Sequence, residues 1–179
     1  MLRVGTDCSG IEAPIQALLQ LKIPFHHVFS SEIDKFCLKS IEANYKPNII
    51  FKDILERDIE DVPDIDLYVC GFSCQLFSML GKRKGVKDKR GTIFECCLEV
   101  IREKRPKFFI LENVPGLLSI EKGKTFQNIL QSLEELKDYT VKWKALNTSD
   151  YGIPQNRKRV FIVGTKGEFS WPEPVPRPL

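Results

Sequence analysis

Cys74 is the residue of this chain whose surroundings most favour chemistry. It lies in the stretch Gly-Phe-Ser-Cys-Gln-Leu-Phe-Ser of residues 71–78, directly after an apolar run at residues 67–70. Such a run predicts a buried strand, and open α/β proteins bind their ligands beyond the carboxyl ends of the strands. A thiol in that position can act as a nucleophile if its surroundings lower its pKa from about 8.5. A structural cysteine is the alternative, so the choice depends on what the other strand ends carry.

The ends of the first three predicted strands carry groups that suit a nucleoside. The first strand leads into Asp-Cys-Ser-Gly-Ile at residues 7–11, where small residues let a cofactor approach the backbone, although a tight turn explains one glycine equally well. Glu32 follows the second strand and is placed to accept hydrogen bonds from a ribose. Asp53 follows the third and could meet an adenine amine. Each acid alone is as easily a solvated loop residue, but together they favour an adenosine-type cofactor.

Glu112 ends a fifth, continuously apolar strand, and two arginines precede the last strand. We expect partial burial to keep the Glu112 carboxyl protonated, so that it can donate a hydrogen bond. A helix-capping acid is the alternative, but the neighbouring Asn113 and the Pro-Gly turn at residues 115–116 favour a shaped site. Arg157 and Arg159 are expected to point to opposite faces, one towards the site and one towards the sheet or a phosphate. A plain charge pair on an edge strand is the alternative.

An alternation of strands and helices must position these residues. Apolar runs predict strands at residues 2–6, 28–30, 49–51, 67–70, 108–111, 140–146 and 160–163. Amphipathic periodicity predicts helices at 11–21, 34–45, 92–104 and 124–136, the first with Ile11, Ile15, Leu18 and Leu19 on one face and the second capped by Asp34. The order predicts an α/β fold with a doubly wound, mostly parallel sheet, and an antiparallel pair at the edge because no helix separates the last two strands.

Composition excludes several classes of protein. The chain has 179 residues, a net charge of +3 and six cysteines, none in a CxxC pair. Two histidines make a zinc site improbable on number alone, and we expect free thiols in a reducing compartment. No run is long enough to span a membrane, and the first residues do not form a signal peptide. Basic clusters at residues 82–90 and 157–159 favour a polyanionic substrate, although a solvated loop is the usual reading of such clusters.

Taken together, six segments resemble the DNA (cytosine-5)-methyltransferase family, in the family's order and over nearly the whole chain. They are Asp-Cys-Ser-Gly-Ile-Glu-Ala at residues 7–13, Ser-Glu-Ile-Asp at 31–34, Asp-Ile at 53–54, the Cys74 segment, Glu-Asn-Val at 112–114 and the Gln-x-Arg-x-Arg strand at 155–164. The resemblance implies a Rossmann-like, S-adenosylmethionine-dependent methyltransferase acting on double-stranded DNA with a flipped-out cytosine.

The resemblance also assigns roles by position. Cys74 would add to C6 of the cytosine, Glu112 would hold the exocyclic amine and N3, Arg159 would orient the base, and Arg157 would steady the nucleophile loop or a phosphate. The cofactor residues would be Asp7, Cys8, Ser9, Gly10, Ile11, Glu32, Ile33, Asp53, Ile54 and Gly71. The DNA contacts would be Ser73, Gln75, Ser78, Lys82, Arg83, Asn113 and Gln155. No metal is implied.

Two departures from the family pattern have consequences. Ser73 stands where the family has a proline, so we expect the nucleophile turn to be looser and activity to be weaker but present. Glu12 and Ala13 stand where many members have two glycines, and we expect their side chains to narrow the cofactor pocket.

The resemblance also sets expectations about the extent of the protein. We expect residues 1–167 to form the catalytic domain, and the Pro-rich tail 168–179 to lead towards a target-recognition domain. A fragment, a truncated product and a split enzyme completed by a second polypeptide are all compatible with this expectation. A non-catalytic methyltransferase-like partner and a tRNA methyltransferase are the alternative functions. The expected location is cytoplasmic, or nuclear in a eukaryote, with restriction–modification as the expected setting.

Overall fold

A seven-stranded sheet forms the centre of the protein. In a computed structural model, residues 1–72 and 93–175 are described. The strands follow the order β3-β2-β1-β4-β5-β7-β6. Their bounds are β1 Leu2–Asp7, β2 Phe25–Ser31, β3 Ile49–Phe51, β4 Leu67–Cys70, β5 Phe108–Asn113, β6 Thr140–Asn147 and β7 Lys158–Thr165.

Four α-helices connect these strands in the described part of the chain. They are α1 Ala13–Gln20, α2 Lys35–Asn44, α3 Ile93–Lys104 and α4 Lys124–Glu134. Segments of 3-10 helix lie at Ile59–Asp61, Pro115–Gly123 and Thr148–Tyr151, and the second is interrupted by non-helical backbone at residues 120–122. None of the described helices is long and apolar enough to cross a bilayer.

The predicted sheet is confirmed, both in its mostly parallel strands and in the antiparallel pair at its edge. Strands β1 to β5 pair in parallel, whereas β7 pairs antiparallel with both β5 and β6. The apolar strand β5 is internal, between β4 and β7. Strand β2 begins three residues earlier than predicted, because the polar pair His26 and His27 belongs to it. A register shift opposite Val4 and Gly5 of β1 interrupts the pairing there, and such a bulge breaks the two-residue alternation on which the prediction relied.

The first helix is shorter than predicted, and its expected apolar face is only half right. Ile15 and Leu18 are buried, whereas Ile11 is 64% and Leu19 is 50% exposed. The helix begins only at Ala13, because Glu12 adopts a left-handed conformation with φ 63°. Ile11 therefore belongs to the preceding turn and not to the helix face.

Both faces of the sheet are covered, as a doubly wound arrangement requires. The larger core joins β4 and β5 to α3 and α4, with Tyr68, Phe109 and Leu111 fully buried. The smaller core packs Ile15 and Leu18 of α1 against Val4 of β1. Alternate side chains of the same strands supply the two cores, as the pleat of a sheet dictates.

The tail after β7 lies against the protein at several points. The carbonyl of Phe169 accepts a hydrogen bond from Lys142 Nζ at 3.1 Å, and the backbone N–H of Val175 donates to the carbonyl of Asp150 at 2.9 Å. Phe169 and Trp171 form an edge-on ring pair with centroids 4.9 Å apart. Residues 169–175 thus form a docked strap along β6, while the domain boundary at residue 167 stays a prediction.

Candidate active site

The carboxyl ends of five parallel strands meet at one edge of the sheet. Asp7 at the end of β1 is in register with Ser31 of β2 and with Cys70 of β4. Strand β5 continues past this line to Asn113. The predicted cofactor turn, the two acidic turns, the segment leading to Cys74 and the Glu112 segment therefore all leave the sheet at the same edge, where α/β proteins bind ligands.

The turn after β1 is a compact structure with unusual backbone angles. Cys8, Gly10 and Glu12 have φ values of 49°, 55° and 63°, so left-handed residues alternate with ordinary ones. Ser9 ties the turn to β2, since both its N–H and its hydroxyl lie 3.1 Å from the carbonyl of Ser31. No atom lies within 4 Å of the position that a Cβ on Gly10 would take, so the outer side of the turn is open among the described residues.

Glu32 connects the first two turns. Its Oε2 accepts from the N–H of Gly10 at 2.7 Å, and its Oε1 accepts from the N–H groups of Ile33 and Asp34, each at 2.9 Å. The side chain of Ile33 is 74% exposed beside it. A carboxylate in fixed position next to an open glycine and an exposed apolar side chain can receive the hydroxyls and the ring of a nucleoside.

The turn after β3 differs from the turns after β1 and β2. Asp53 Oδ1 accepts from the N–H of Leu55 at 2.8 Å, so this carboxylate caps its own turn. Ile54 is only 8% exposed and belongs to the larger core. The predicted contacts of Asp53 and Ile54 with an adenine stay predictions.

Asp7, predicted to bind the cofactor, has a buried carboxylate that is bonded inside the protein. It makes a two-pronged ion pair with Arg57, at 2.5 and 2.6 Å, and accepts from the hydroxyl of Tyr68. Burial acts to lower the pKa of Arg57, but the hydrogen bond and charge of Asp7 outweigh it, so the pKa stays above its ordinary value. Burial, followed by the charge of Asp7, raises the pKa of Tyr68. Any contact of Asp7 with a cofactor would use its backbone.

Glu12 does not narrow the cofactor pocket, contrary to our expectation. Its side chain is 0% exposed and points into the protein, where Oε1 accepts from the hydroxyls of Thr6 at 2.7 Å and Ser30 at 2.5 Å. The left-handed backbone of this residue turns its Cβ away from the open side of the turn.

Glu112 and Arg159 form an ion pair across neighbouring strands. Arg159 Nε lies 2.8 Å from Glu112 Oε1, and the two side chains are 22% and 30% exposed. A Cβ on Gly71 would lie 3.5 Å from Glu112 Oε2 and 3.7 Å from the carbonyl of Cys8. The first residue after β4 thus passes between the cofactor turn and this ion pair.

Arg157 and Gln155 are not brought to Glu112. Both are exposed and precede β7, and the backbone of Arg157 pairs with that of Thr148 at 3.2 Å. The prediction that Arg157 and Arg159 take opposite faces is wrong, because residues two apart on a strand share a face. Their environments differ because β7 begins only at Lys158.

Asn113 holds the end of β4 in place. Its Nδ2 donates to the carbonyl of Phe72 at 2.7 Å, its Oδ1 accepts from the N–H of Val114 at 2.8 Å, and the residue is 4% exposed. Asn113 therefore fixes the last described residue before the segment that contains Cys74. Its predicted contact with DNA stays a prediction.

The predicted nucleophile and most predicted DNA contacts lie outside the described residues. These are Ser73, Cys74, Gln75, Ser78, Lys82 and Arg83. Their roles stay predictions.

The cysteines of the described residues form no disulfide bonds. Cys8, Cys37, Cys70, Cys96 and Cys97 are free. Burial, followed by hydrogen bonds with Cys8 and Cys97, raises the pKa of Cys70, and burial raises that of Cys96 to about 11. Within residues 1–72 and 93–175, no group of three or more His, Cys, Asp or Glu residues could hold a metal ion.

Arg57 and Tyr68 also lie at this edge, although the sequence did not predict a role for either. Arg57 bonds Asp7, which lies 50 positions away in the sequence, so the sequence around Arg57 does not reveal this contact. One feature of the sequence could have drawn attention to it, because Arg57 is the lone basic residue between Asp53 and Asp66. Tyr68 lies within an apolar run, and nothing in the sequence indicates a partner for its hydroxyl.

The strand order, the single antiparallel strand inserted between β5 and β6, and the glycine-containing turn after β1 define a Rossmann-like methyltransferase fold. A structure from Schizosaccharomyces pombe, the methyltransferase Dnmt2, superimposes with a TM-score of 0.78 over 96% of this chain and 53% of its own, at 24% identity. The family model of C-5 cytosine-specific DNA methylases matches residues 7–178. The chain belongs to that family.

Relatives of known class support the same assignment. The Type II methyltransferase M1.ScrFI of Lactococcus lactis subsp. cremoris is 46% identical over 157 residues, which cover 83% of this chain and 39% of that protein. The Type II methyltransferase M.NgoBI of Neisseria gonorrhoeae is also 46% identical, over 83% of this chain and 47% of its own length. The chain thus spans less than half the length of these relatives.

Proposed function

We propose that this protein transfers a methyl group from S-adenosylmethionine to C5 of cytosine in DNA through a covalent bond between Cys74 and C6. The position of Gly71 carries the proposal. Gly71 leads into the Cys74 segment and passes between the carbonyl of Cys8, in the cofactor turn, and the Glu112 carboxylate. A nucleophile that starts from this point is well situated between a methyl donor on one side and a base-holding carboxyl group on the other.

The first two turns fit the cofactor. Oε2 of Glu32 accepts only one backbone N–H among the described contacts, so the carboxylate can also accept from a ribose hydroxyl through this oxygen. The open side of Gly10 admits a ligand close to the backbone, and the exposed side chain of Ile33 offers an apolar surface for a purine ring. When bound, S-adenosylmethionine supplies an electrophilic methyl group attached to a sulfonium.

Cys74 is the thiol best suited to attack the base. Cytosine C5 is a weak nucleophile, and addition of a thiolate to C6 makes it an enamine carbon. After C5 has gained its methyl group, loss of the C5 proton to water restores the ring double bond and expels the Cys74 thiolate. Cys70, in the same stretch, is unsuited because it is 0% exposed and burial raises its pKa.

Glu112 and Arg159 are assigned to the base. Glu112 would hold the exocyclic amine and N3, and it is oriented by Arg159 Nε at 2.8 Å. Arg159 donates its Nη1 to the carbonyl of Lys158 at 2.8 Å, which fixes the guanidinium plane against the strand. Arg157 is exposed ahead of β7 and would contact the nucleophile loop or a phosphate.

The substrate is proposed to be duplex DNA, because the Type II relatives are 46% identical over 83% of the chain. The target base must leave the stack to reach a thiol at a sheet edge. We propose that the recognition sequence is read by segments other than residues 1–179, belonging either to the same polypeptide or to a second one. Protection of DNA in a restriction–modification system is the proposed setting.

A trapping experiment tests the proposal. The chain is incubated with S-adenosylmethionine and a pool of duplexes that carry 5-fluorocytosine in randomised sequence contexts, since fluorine at C5 prevents the final proton loss. We expect a covalent protein–DNA complex on a denaturing gel, lost in Cys74→Ala and retained in the control Cys37→Ala. A complex that persists in Cys74→Ala would contradict the assignment of the nucleophile. A complex formed only with a matching RNA pool would contradict the DNA substrate. No complex with either pool, even when a polypeptide that supplies target recognition is added, would contradict catalysis.

A further inference from the structure

Glu12 is a buried acid in a conformation that suits glycine. Its φ of 63° and ψ of 45° place it in the left-handed region, where a residue with a Cβ is strained, and its side chain is 0% exposed. Backbone strain and burial of a polar carboxyl group both oppose a glutamate here. Its presence therefore calls for an interaction that glycine could not provide.

That interaction is a bridge between the ends of two strands. Glu12 Oε1 accepts from Thr6 Oγ1 of β1 at 2.7 Å and from Ser30 Oγ of β2 at 2.5 Å. Thr6 Oγ1 in turn lies 2.9 Å from Ser9 Oγ, in the middle of the cofactor turn. The carboxylate is thus connected through one hydroxyl to the residue that anchors the turn on β2.

His27 extends the network on the side away from the turn. Its Nε2 lies 3.0 Å from Ser30 Oγ and 3.5 Å from Glu12 Oε1, and the ring is 7% exposed. Because the Ser30 hydroxyl donates its hydrogen to Glu12, Nε2 of His27 must carry the hydrogen of the other bond. The bulge in β2 places His27 and Ser30 on one side of the strand, although they are three residues apart.

The inner and outer sides of the cofactor turn are therefore held by different carboxylates. On the outer side, Gly10 donates its N–H to Glu32. On the inner side, Glu12 donates its backbone N–H to the carbonyl of Ser9 at 2.9 Å and receives the Thr6 hydroxyl. The Ser9–Gly10 peptide, which any ligand on this turn must meet, lies between these two attachments.

We infer that Glu12 is a positioning residue: its buried carboxylate fixes the Ser9–Gly10 turn in the shape that binds S-adenosylmethionine. This inference rests on the proposed function for the identity of the ligand. A competing explanation is that the position needs only a left-handed backbone and tolerates glutamate. The two explanations differ for Glu12→Gly, which relieves the strain but removes the carboxylate.

Binding of S-adenosylmethionine to the chain, measured by calorimetry, separates the explanations. We expect Glu12→Ala and Glu12→Gly to raise the dissociation constant about tenfold, the loss that corresponds to one charge-assisted hydrogen bond. Glu12→Gln keeps an oxygen that accepts both hydroxyls and should stay within about threefold of the wild type. Glu42→Ala, which removes an exposed acid of α2, is the control and should bind as the wild type. Wild-type affinity in Glu12→Gly would overturn the inference.

Hydrogen exchange of the free chain provides a readout that needs no cofactor. Peptides that cover residues 7–12 should exchange faster in Glu12→Gly and Glu12→Ala than in the wild type, and Glu12→Gln should restore the protection. Peptides from β5 should be unchanged, which shows that the fold is intact. If the wild-type chain binds no S-adenosylmethionine, the proposed function fails, while unchanged exchange at residues 7–12 in Glu12→Gly overturns this inference separately.

Discussion

The ion pair between Asp7 and Arg57 makes a quantitative prediction about stability. The Asp7 side chain is 0% and the Arg57 side chain 5% exposed, and Arg57 also bonds Ser31 Oγ at 2.6 Å. Its guanidinium lies 5.3 Å from the ring centroids of both Phe29 and Phe51. The substitution Arg57→Met keeps much of the aliphatic stem but leaves the Asp7 carboxylate with the Tyr68 hydroxyl as its remaining described side-chain donor.

The expected loss follows from burial. Removing one partner of a buried, hydrogen-bonded ion pair lowers the free energy of unfolding by about 3–5 kcal/mol. Domains are stable by about 5–15 kcal/mol, so this one change would remove a large part of the total. For a protein of this size, each kcal/mol corresponds to about 2–4 °C, which gives a fall in melting temperature of about 6–20 °C.

Urea denaturation followed by tryptophan fluorescence and circular dichroism measures the loss. The double variant Asp7→Asn/Arg57→Met removes the unpaired charge as well, so it should be more stable than the sum of the two single changes predicts. Arg102→Met, which removes an exposed arginine of α3, is the matched control and should stay within about 0.5 kcal/mol of the wild type. A loss below about 1 kcal/mol in Arg57→Met, or strict additivity in the double variant, would refute the reasoning.

Three further substitutions test other parts of the structure. Asn113→Ala removes the hydrogen bond at the end of β4 and should reduce adduct formation by Cys74 more than cofactor affinity, as single-turnover trapping and calorimetry would show. Gly164→Ala places a methyl group closer to the ring atoms of Phe109 than van der Waals contact allows. It should lower the free energy of unfolding by about 1–3 kcal/mol in urea melts. Hydrogen bonds from Arg3 hold the pKa of Asp66 well below its usual range, so the wild type should lose this stabilisation as the pH falls below about 4, whereas Asp66→Asn should show a flatter acid profile in thermal melts.

Most of the fold could be predicted from the sequence, because apolar runs identify buried strands well. Strands β3 and β4 have the predicted bounds. The predicted strand β2 is too short, because its bulge places the polar pair His26 and His27 in a strand where alternation fails. The predicted start of helix α1 is two residues too early, because periodicity does not show that Glu12 has a left-handed backbone.

The sequence predicts a site residue correctly where its position along a strand alone places it at the edge of the sheet. Glu32 and Glu112 both end parallel strands, and both lie at the expected edge. The sequence could not show in which direction an acid at that edge points. Asp7 points inwards to its ion pair with Arg57, and Glu12 points inwards to hydrogen bonds from Thr6 and Ser30. Periodicity along one segment does not reveal such contacts between segments.

Strand β4 and the two residues after it are held at three positions, each by a different element, and this bears on the proposed reaction. Tyr68 donates to Asp7 of β1, and Cys70 lies 3.1 Å from the sulfur of Cys97 in α3. Phe72, two residues further on, is held through its carbonyl by Asn113 of β5. The chain therefore enters residue 73 from a point that is fixed relative to both the cofactor turn and the Glu112 carboxylate. Reacting groups gain most from such fixed geometry when they must approach within about 3–3.5 Å in a defined direction. The polar contacts of β4 thus serve the proposed reaction by setting the origin of the nucleophile segment, and this explains why a buried tyrosine and a buried asparagine occupy places where apolar side chains would otherwise pack.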